Sequence, residues 1–194
     1  MLKIIREIDE TVIADVLALQ KSLLINSTKH IGPEQTQGGF LVVEKSADEL
    51  REFIRSGGEI LAQYESGVLV GYVMLTSAQV LERAYTASYA ELSLEMTQKK
   101  WNEYIKHSNH YIQQIAVAPE MRRSGVGQAL VSACREMSPG GVAADILFAP
   151  TPFVNSASYK FFIQNGFRDA GSLEIKSLKG FQSCQTRIVF WGRR

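Results

Sequence analysis

The sequence predicts an α/β (α+β) fold, and three observations carry the prediction. Strand-like and helix-like hydrophobic periodicities follow one another in the order strand, two helices, three strands, helix, strand, helix, two strands. The run from His110 to Pro119, rich in isoleucine and valine, passes through a glycine-punctuated turn into an amphipathic helix ending at Met137. No composition break, repeat or low-complexity tract divides the 194 residues, which suffice for a single domain, 1–194, with a sizeable core.

Residues 2–8 alternate as a first strand, and Asp9 is placed to cap a helix whose inward face carries Ile13, Val16, Leu17, Leu23 and Leu24. Residues 26–39 are mostly polar, lack periodicity and contain Gly32-Pro33 and Gly38-Gly39. They read as a long loop, and loops of this length in compact domains are often functional. Residues 40–43 are apolar but too few to assign. Ser46 with Glu49 three positions on is a capping box, opening a helix with Leu50, Phe53 and Ile54 inward and Gly57-Gly58 as its stop. Residues 59–64 and 68–77 read as antiparallel strands joined by Glu65-Ser66-Gly67. A polar, partly helical segment occupies 81–108, with Trp101, Tyr104 and Ile105 at helical spacing.

Pro119 stops the central strand because it lacks the amide hydrogen a sheet interior needs. In the helix that follows, Val126, Ala129, Leu130, Ala133, Cys134 and Met137 share one face, and Ser138-Pro139-Gly140 ends it. Residues 142–148 form a buried strand, and a mostly apolar helix opens at Asn155 and stops at Gly166, with Phe167 as the apolar contact beyond it. Two last strands, 168–175 and 184–191, flank a loop at 176–182.

Lys and Arg total 21 against 20 for Asp and Glu, a net charge of +1. No overall field draws such a chain onto nucleic acid or an anionic membrane, so any phosphate recognition is local. The start, Met1-Leu2-Lys3-Ile4-Ile5-Arg6-Glu7, has charges where a signal peptide has its apolar core, and no apolar run reaches membrane-spanning length. A soluble, cytoplasmic protein is expected. Two cysteines are too few for a disulfide framework, and Cys134, on the apolar helix face, reads as a buried free thiol. His30, His107, His110, Cys134 and Cys184 show no metal-ligand spacing, so no metal is expected.

Gly125 and Gly127 remove side chains at the first turn of a helix, where amides lack internal partners and the dipole is positive. With Arg122 and Arg123 before them, they suit a pyrophosphate; they equally suit a tight strand-to-helix turn with two solvated arginines. The longer string separates these readings. Arg122-Arg123-Ser124-Gly125-Val126-Gly127 fits a Q/R-x-x-G-x-G/A signature, and with the run-in Ile115-Ala116-Val117-Ala118-Pro119-Glu120 it resembles the GCN5-related N-acetyltransferase (GNAT) superfamily. Downstream, Asn155, Ser158, the aromatic pair Phe161-Phe162 and Gly166-Phe167 resemble the late helix of that family. Dinucleotide and P-loop readings fail, because G-x-G-x-x-G is absent and Gly127 is followed by Gln128 rather than lysine.

The resemblance implies a mixed, mostly antiparallel central sheet of about seven strands flanked by helices. It implies acetyl-CoA as co-substrate and, as acceptor, a primary amine of a small molecule, peptide or protein, attacking directly. The main chain of Ile115, Ala116 and Val117 would pair with the pantetheine amides as a neighbouring strand does. The segment Arg122, Arg123, Ser124, Gly125, Val126, Gly127 and Gln128 would hold the pyrophosphate. Asn155, with Ser158, either reaches the pantetheine arm or caps its helix. In the family, the stretch corresponding to 81–108 is shorter. This insertion is expected to cover the acceptor site, to make a homodimer contact or to decorate the surface. Loops 26–39 and 176–182 are expected beside the acceptor.

An ammonium has no lone pair with which to attack a thioester, so a proton must leave the acceptor. The family often uses a glutamate on or near the signature strand, but this strand carries Gln113 and Gln114, which cannot act as bases. Gln114 can still position water or the acceptor. His110, at the strand entrance, can titrate near neutrality. Glu91 and Glu95 are candidates within the insertion, whereas Glu120 reads as a turn residue. Many family members carry a tyrosine seven residues after the asparagine, returning a proton to the leaving thiolate. Here that position is Phe162, and Tyr159, one turn earlier, is either its substitute or a packing aromatic. The missing glutamate and Phe162 leave a second function open, a catalytically weak acyl-CoA-binding regulatory or interaction module.

Overall fold

Ile60, Leu61 and Ala62 are consecutive strand residues and all fully buried, so the sheet that contains them is covered on both faces. The computed structural model describes residues 1–25, 39–77, 110–148, 155–178 and 181–192. Loop residues 26–38 and the 81–108 insertion with Glu91 and Glu95 lie outside the described residues, together with the roles expected of them.

The strands are β1 (Leu2–Ile5), β2 (Glu59–Glu65), β3 (Val68–Ser77), β4 (His110–Val117), β5 (Val142–Phe148), β6 (Arg168–Leu178) and β7 (Phe181–Trp191). They form one seven-stranded sheet in the order β1-β2-β3-β4-β5-β7-β6. Every neighbouring pair is antiparallel except β4 with β5, which gives the mixed, mostly antiparallel sheet that the sequence resemblance implies. The helices are α1 (Glu10–Leu23), α2 (Ala47–Arg55), α3 (Val126–Met137) and α4 (Ser156–Gln164).

Local chemistry sets the helix starts. The Asp9 carboxylate accepts from the amides of Thr11 and Val12, and Ser46 with Glu49 forms a reciprocal capping box. Side-chain alternation on β2 and β3 then sorts the core. Ile60, Ala62, Tyr72 and Met74 pack with α1 and α2 on one face. Leu61, Val73 and Leu75 pack on the other face with Val126, Leu130 and Cys134 of α3 and Phe162 of α4. The Cys134 thiol is fully buried, which pushes its pKa up to about 12 and leaves it inert.

Two expectations need correction. β1 stops at Ile5 rather than at residue 8. The loop expected at 176–182 is mostly strand, because Ser177 pairs with Gln182 and Leu178 with Phe181. Cross-strand backbone pairing extends both strands into the stretch expected to be a loop. The unassigned stretch 40–43 runs beside the end of α1, where Leu41 donates to the Leu23 carbonyl and accepts from the Ile25 amide. Among the described residues no helix is long and apolar enough to cross a membrane.

Gly71 on β3 sets how closely α3 approaches the sheet. A Cβ there would lie 2.9 Å from Val126 Cγ1, 3.0 Å from the Ala116 carbonyl oxygen and 3.2 Å from Leu130 Cδ1. The Gly71→Ala variant is therefore expected to lose about 1–3 kcal/mol by overpacking, read as a lower urea midpoint with an unchanged m-value. A wild-type midpoint would mean that α3 is not seated on this residue.

Candidate active site

The site begins where two strands part. β5 pairs with β4 at Val142, Ala143 and Ala144, opposite His110, Tyr111 and Ile112, and no further, although the strands run on to Phe148 and Val117. A β-bulge coincides with the parting. On the other side of β4, Leu75 faces Ile112 and Met74 faces Gln114, so Gln113 is the extra residue. A bulge bends its strand and raises local twist, which turns the rest of β4 away from β5. Ile115, Ala116 and Val117 thus present main-chain groups to an open gap with no partner strand among the described residues.

The loop after β4 is shaped to expose amides. Residues Pro119–Met121 make one 3-10 turn, Arg123 has φ 64° and Gly125 has φ 93°, both left-handed. Such alternation turns successive amides toward one concavity. The amides of Arg123, Gly125, Val126, Gly127 and Gln128 have no main-chain acceptor among the described residues, and Gly125 caps α3 without a side chain. The Ser124 hydroxyl instead donates back to the Met121 carbonyl at 2.6 Å. An uncapped helix start is a ready anion site. At Gly127 an added Cβ would come 3.1 Å from the Phe161 ring and 3.6 Å from Val117 Cγ2, so α3, α4 and the end of β4 converge on this glycine.

Arg122 is not an ordinary solvated charge. Its guanidinium donates to the Gly39 carbonyl at 3.0 Å, and burial holds its pKa below the usual arginine value. A Cβ on Gly39 would lie 3.4 Å from Ser158 Oγ and 3.7 Å from Asn155 Oδ1, so the Arg122 contact also draws the chain at Gly39 onto the start of α4. Asn155 makes no side-chain cap to α4. It is 7% exposed, and its Oδ1 is buried with no hydrogen-bond partner among the described residues. A buried carbonyl oxygen without a donor points to a ligand group that supplies one. The pantetheine arm of acetyl-CoA carries amide N–H donors, and its pyrophosphate matches the free loop amides, so the residues present fit that co-substrate.

The catalytic candidates are dispersed. Gln114 lies at the bulge, but its side chain is committed: Oε1 accepts from the Tyr72 hydroxyl, and Nε2 donates to the Val43 carbonyl at 2.9 Å. His110 sits at the paired end of β4, its Nδ1 2.9 Å from Ser138 Oγ. Burial holds its pKa below the ordinary histidine value, partly opposed by Glu59. The Tyr159 hydroxyl donates to Asp169 Oδ2 at 2.8 Å, and Asp169 also pairs with Arg187, whose guanidinium lies 5.5 Å from the Tyr159 ring centre. These partners stand on β6 and β7, beyond β5 from the gap. Phe162 is a core residue, 1% exposed. The structure thus gathers Ile115 to Val117, the loop amides, Asn155 and Ser158, and leaves His110 and Tyr159 apart from them.

One residue was passed over in the sequence. Asp145 follows Ala144, the last residue of β5 that β4 pairs, and is the sole charge in Val142–Phe148. Ala144 and Ile146 belong to the cluster under α3 and α4, so alternation directs Asp145 to the opposite face. The residue is partly exposed, yet protein is dense enough around its carboxyl that burial raises its pKa to about 7. The signal was a lone carboxylate in an otherwise apolar strand.

Comparison with known proteins bears on the fold and the family. No curated protein matches the sequence. Among solved structures, the ribosomal-protein-alanine N-acetyltransferase of Brucella melitensis aligns over 100% of this chain and 99% of its own, with TM-score 0.60 and 15% identity. An N-acetyltransferase of Staphylococcus aureus Mu50 aligns over 99% and 98%, with TM-score 0.59 and 16% identity. NAA60 of Arabidopsis thaliana in complex with acetyl-CoA aligns over 100% of both chains, with TM-score 0.59 and 11% identity. At these identities the likeness is one of fold. The sequence itself matches the profile described as the Acetyltransferase (GNAT) family over residues 33–167, more than half of its length, and the chain therefore belongs to the GNAT family of acetyltransferases.

Proposed function

We propose that the protein is an acetyl-CoA-dependent N-acetyltransferase that moves the acetyl group to a primary amine of a small molecule, peptide or protein by direct attack. The observation that carries this is the parting of β4 and β5 after Ile112 and Ala144, beside a loop whose amides have no main-chain acceptor among the described residues. Ile115, Ala116 and Val117 offer an edge to which the pantetheine adds as a short strand. The amides of Arg123, Gly125, Val126, Gly127 and Gln128 receive the pyrophosphate, with Ser124 and Arg122 shaping the turn. Asn155 Oδ1 accepts from a pantetheine amide, and Ser158 lies beside it. That acetyl-CoA is bound in the Arabidopsis thaliana NAA60 structure supports the same co-substrate here. The site is read as part of one cytoplasmic domain.

A second reading, an acyl-CoA-binding regulatory module with weak turnover, draws on the commitment of Gln114 to Tyr72 and Val43 and on the burial of Phe162. Free-thiol release from acetyl-CoA across amines, amino acids and peptides separates the two. Acceptor-dependent release supports the enzyme, and tight binding without release supports the module.

Acetyl-CoA at roughly a hundredfold over its dissociation constant is expected to stabilise the fold by about 2.7 kcal/mol. Gly125→Val should abolish that increment, because a branched side chain enters the anion concavity at a left-handed φ. A thermal shift equal to that of wild type would remove the pyrophosphate from this loop.

Asn155→Ala should leave the ligand-free protein as stable as wild type, since the deleted oxygen has no partner among the described residues to lose. Its acetyl-CoA affinity should fall by about 1 kcal/mol, the worth of one hydrogen bond. Calorimetric titration checks this, and unchanged affinity would detach Asn155 from the donor.

Tyr159→Phe is expected to retain turnover within about twofold, because its hydroxyl is held by Asp169 on the far side of β5. A loss beyond tenfold would restore it as the proton donor, since general acids contribute about 10²–10⁴-fold.

A further inference from the structure

We propose that Asp145 is the catalytic residue that takes the proton from the acceptor amine, an assignment that rests on the acyltransferase reading above. The argument starts from which titratable groups the diverging strands carry. Beyond their last paired residues β4 offers Gln113, Gln114, Ile115, Ala116 and Val117, and β5 offers Asp145, Ile146, Leu147 and Phe148. Asp145 is the one acid or base in these two stretches.

Its face is the one the acceptor must use. The free loop amides, Gly127 and Asn155 belong to the side of the sheet that carries α3 and α4. Among the described residues, the gap between β4 and β5 is the opening through which a donor anchored there reaches the opposite face. Asp145 stands at the point where that gap opens and faces that opposite side, as Gln114 does through its bonds to Tyr72 and Val43. A carboxylate in this position attracts an ammonium and can accept its proton.

The proton count closes. The ammonium gives one proton to the Asp145 carboxylate and becomes an amine with a lone pair. The nitrogen forms a bond to the thioester carbonyl carbon, and the carbon–sulfur bond breaks with its electron pair on sulfur. A second nitrogen proton neutralises the thiolate, and the proton on Asp145 passes to solvent before the next turnover.

The surroundings of Asp145 suit this exchange. Its cross-strand neighbour on β7 is Ile188, fully buried. The titratable side chains that strand alternation places on the same face of the flanking strands are Tyr111 on β4 and Cys184 on β7, the thiol pushed up by burial, while His110 and Arg187 fall on the other face. Among the described residues no charged neighbour contributes to its titration; burial is the main cause of the raised value, about 7, with its own backbone amide acting against it. A base with that value is half-ionised near neutrality.

The test uses the full-length protein. Thiol release from acetyl-CoA is followed with propylamine, spermidine and a tetrapeptide bearing a free N-terminus, on wild type, Asp145→Asn and Asp145→Glu, from pH 5.5 to 9. The thermal shift by acetyl-CoA is recorded for each. Wild-type kcat/KM should rise about tenfold per pH unit up to a bend at about 7. Asp145→Asn should lose the bend and at least about 10²-fold in rate while keeping the acetyl-CoA shift, and Asp145→Glu should recover part of the rate. If wild type and Asp145→Asn release thiol at similar rates, or if the bend persists in Asp145→Asn, Asp145 is not the base. If wild type binds acetyl-CoA and releases no thiol with any of the amines, the acyltransferase reading falls and takes this assignment with it.

Stability supplies a readout that does not depend on turnover. The folded-state pKa of Asp145 is raised above its ordinary value, so its contribution to stability is full below about pH 4 and is lost as pH rises to about 7. Asp145→Asn cannot ionise. Its Tm advantage over wild type should therefore widen between those pH values, and a constant difference would place Asp145 in open water, away from the closed site that the proposal needs.

Discussion

The structure turns on the short pairing between β4 and β5. Three residue pairs hold these strands in the sheet's one parallel contact, and the bulge at Gln113 ends it. Parallel and antiparallel ladders both satisfy main-chain groups, so a strand that leaves its partner early must find other partners for those groups. Ile115 to Val117 keep theirs on the β3 side and leave them open toward β5, and Ala118 donates to the Val70 carbonyl before the chain turns. A cleft in the middle of a seven-stranded sheet results from one extra residue, without loss of the hydrophobic layers on either face.

Close packing then decides where the anion concavity sits relative to that cleft. Gly71 lets Val126 and Leu130 seat α3 on β3, and Gly127 lets the first turn of α3 meet Phe161 of α4. Side chains at either position would lift the helix start away from the end of β4. Because the chain carries a net charge of only +1, the phosphate attraction proposed for this loop would come from its oriented amides and the helix dipole rather than from a general basic field. Arg122 contributes by bonding the Gly39 carbonyl and so fixing the edge of the site.

The acid–base groups show how environment overrules residue type. Tyr159, Asp169 and Arg187 form a hydrogen-bonded cluster on the outer strands, which orients the tyrosine away from the gap. His110 is turned into the contact with Ser138 at the end of α3, where burial favours its neutral form. Asp145 has no cation or capping role among the described residues and bears the cost of burial, which holds its carboxyl above the usual carboxylate range.

The sequence by itself determined the element order, the capping box at Ser46 and Glu49, the glycine-lined start of α3 and the family, because each is encoded over a few neighbouring residues by periodicity, turn chemistry or motif. The strand ends at 177–178 and 181–182, expected as loop, differ for the converse reason: pairing between β6 and β7 holds them in the sheet. Only the tertiary structure decided that Asn155 leaves an oxygen unpaired instead of capping α4, that Gln114 is bound at both ends, and that the Tyr159 hydroxyl faces Asp169. Each of these depends on a partner distant in sequence, or on the lack of one, and neither spacing nor composition specifies which strand will lie beside which. Asp145 shows both limits at once. Its oddity in an apolar strand was legible, whereas its place at the mouth of a gap appeared only when β4 and β5 were seen to part.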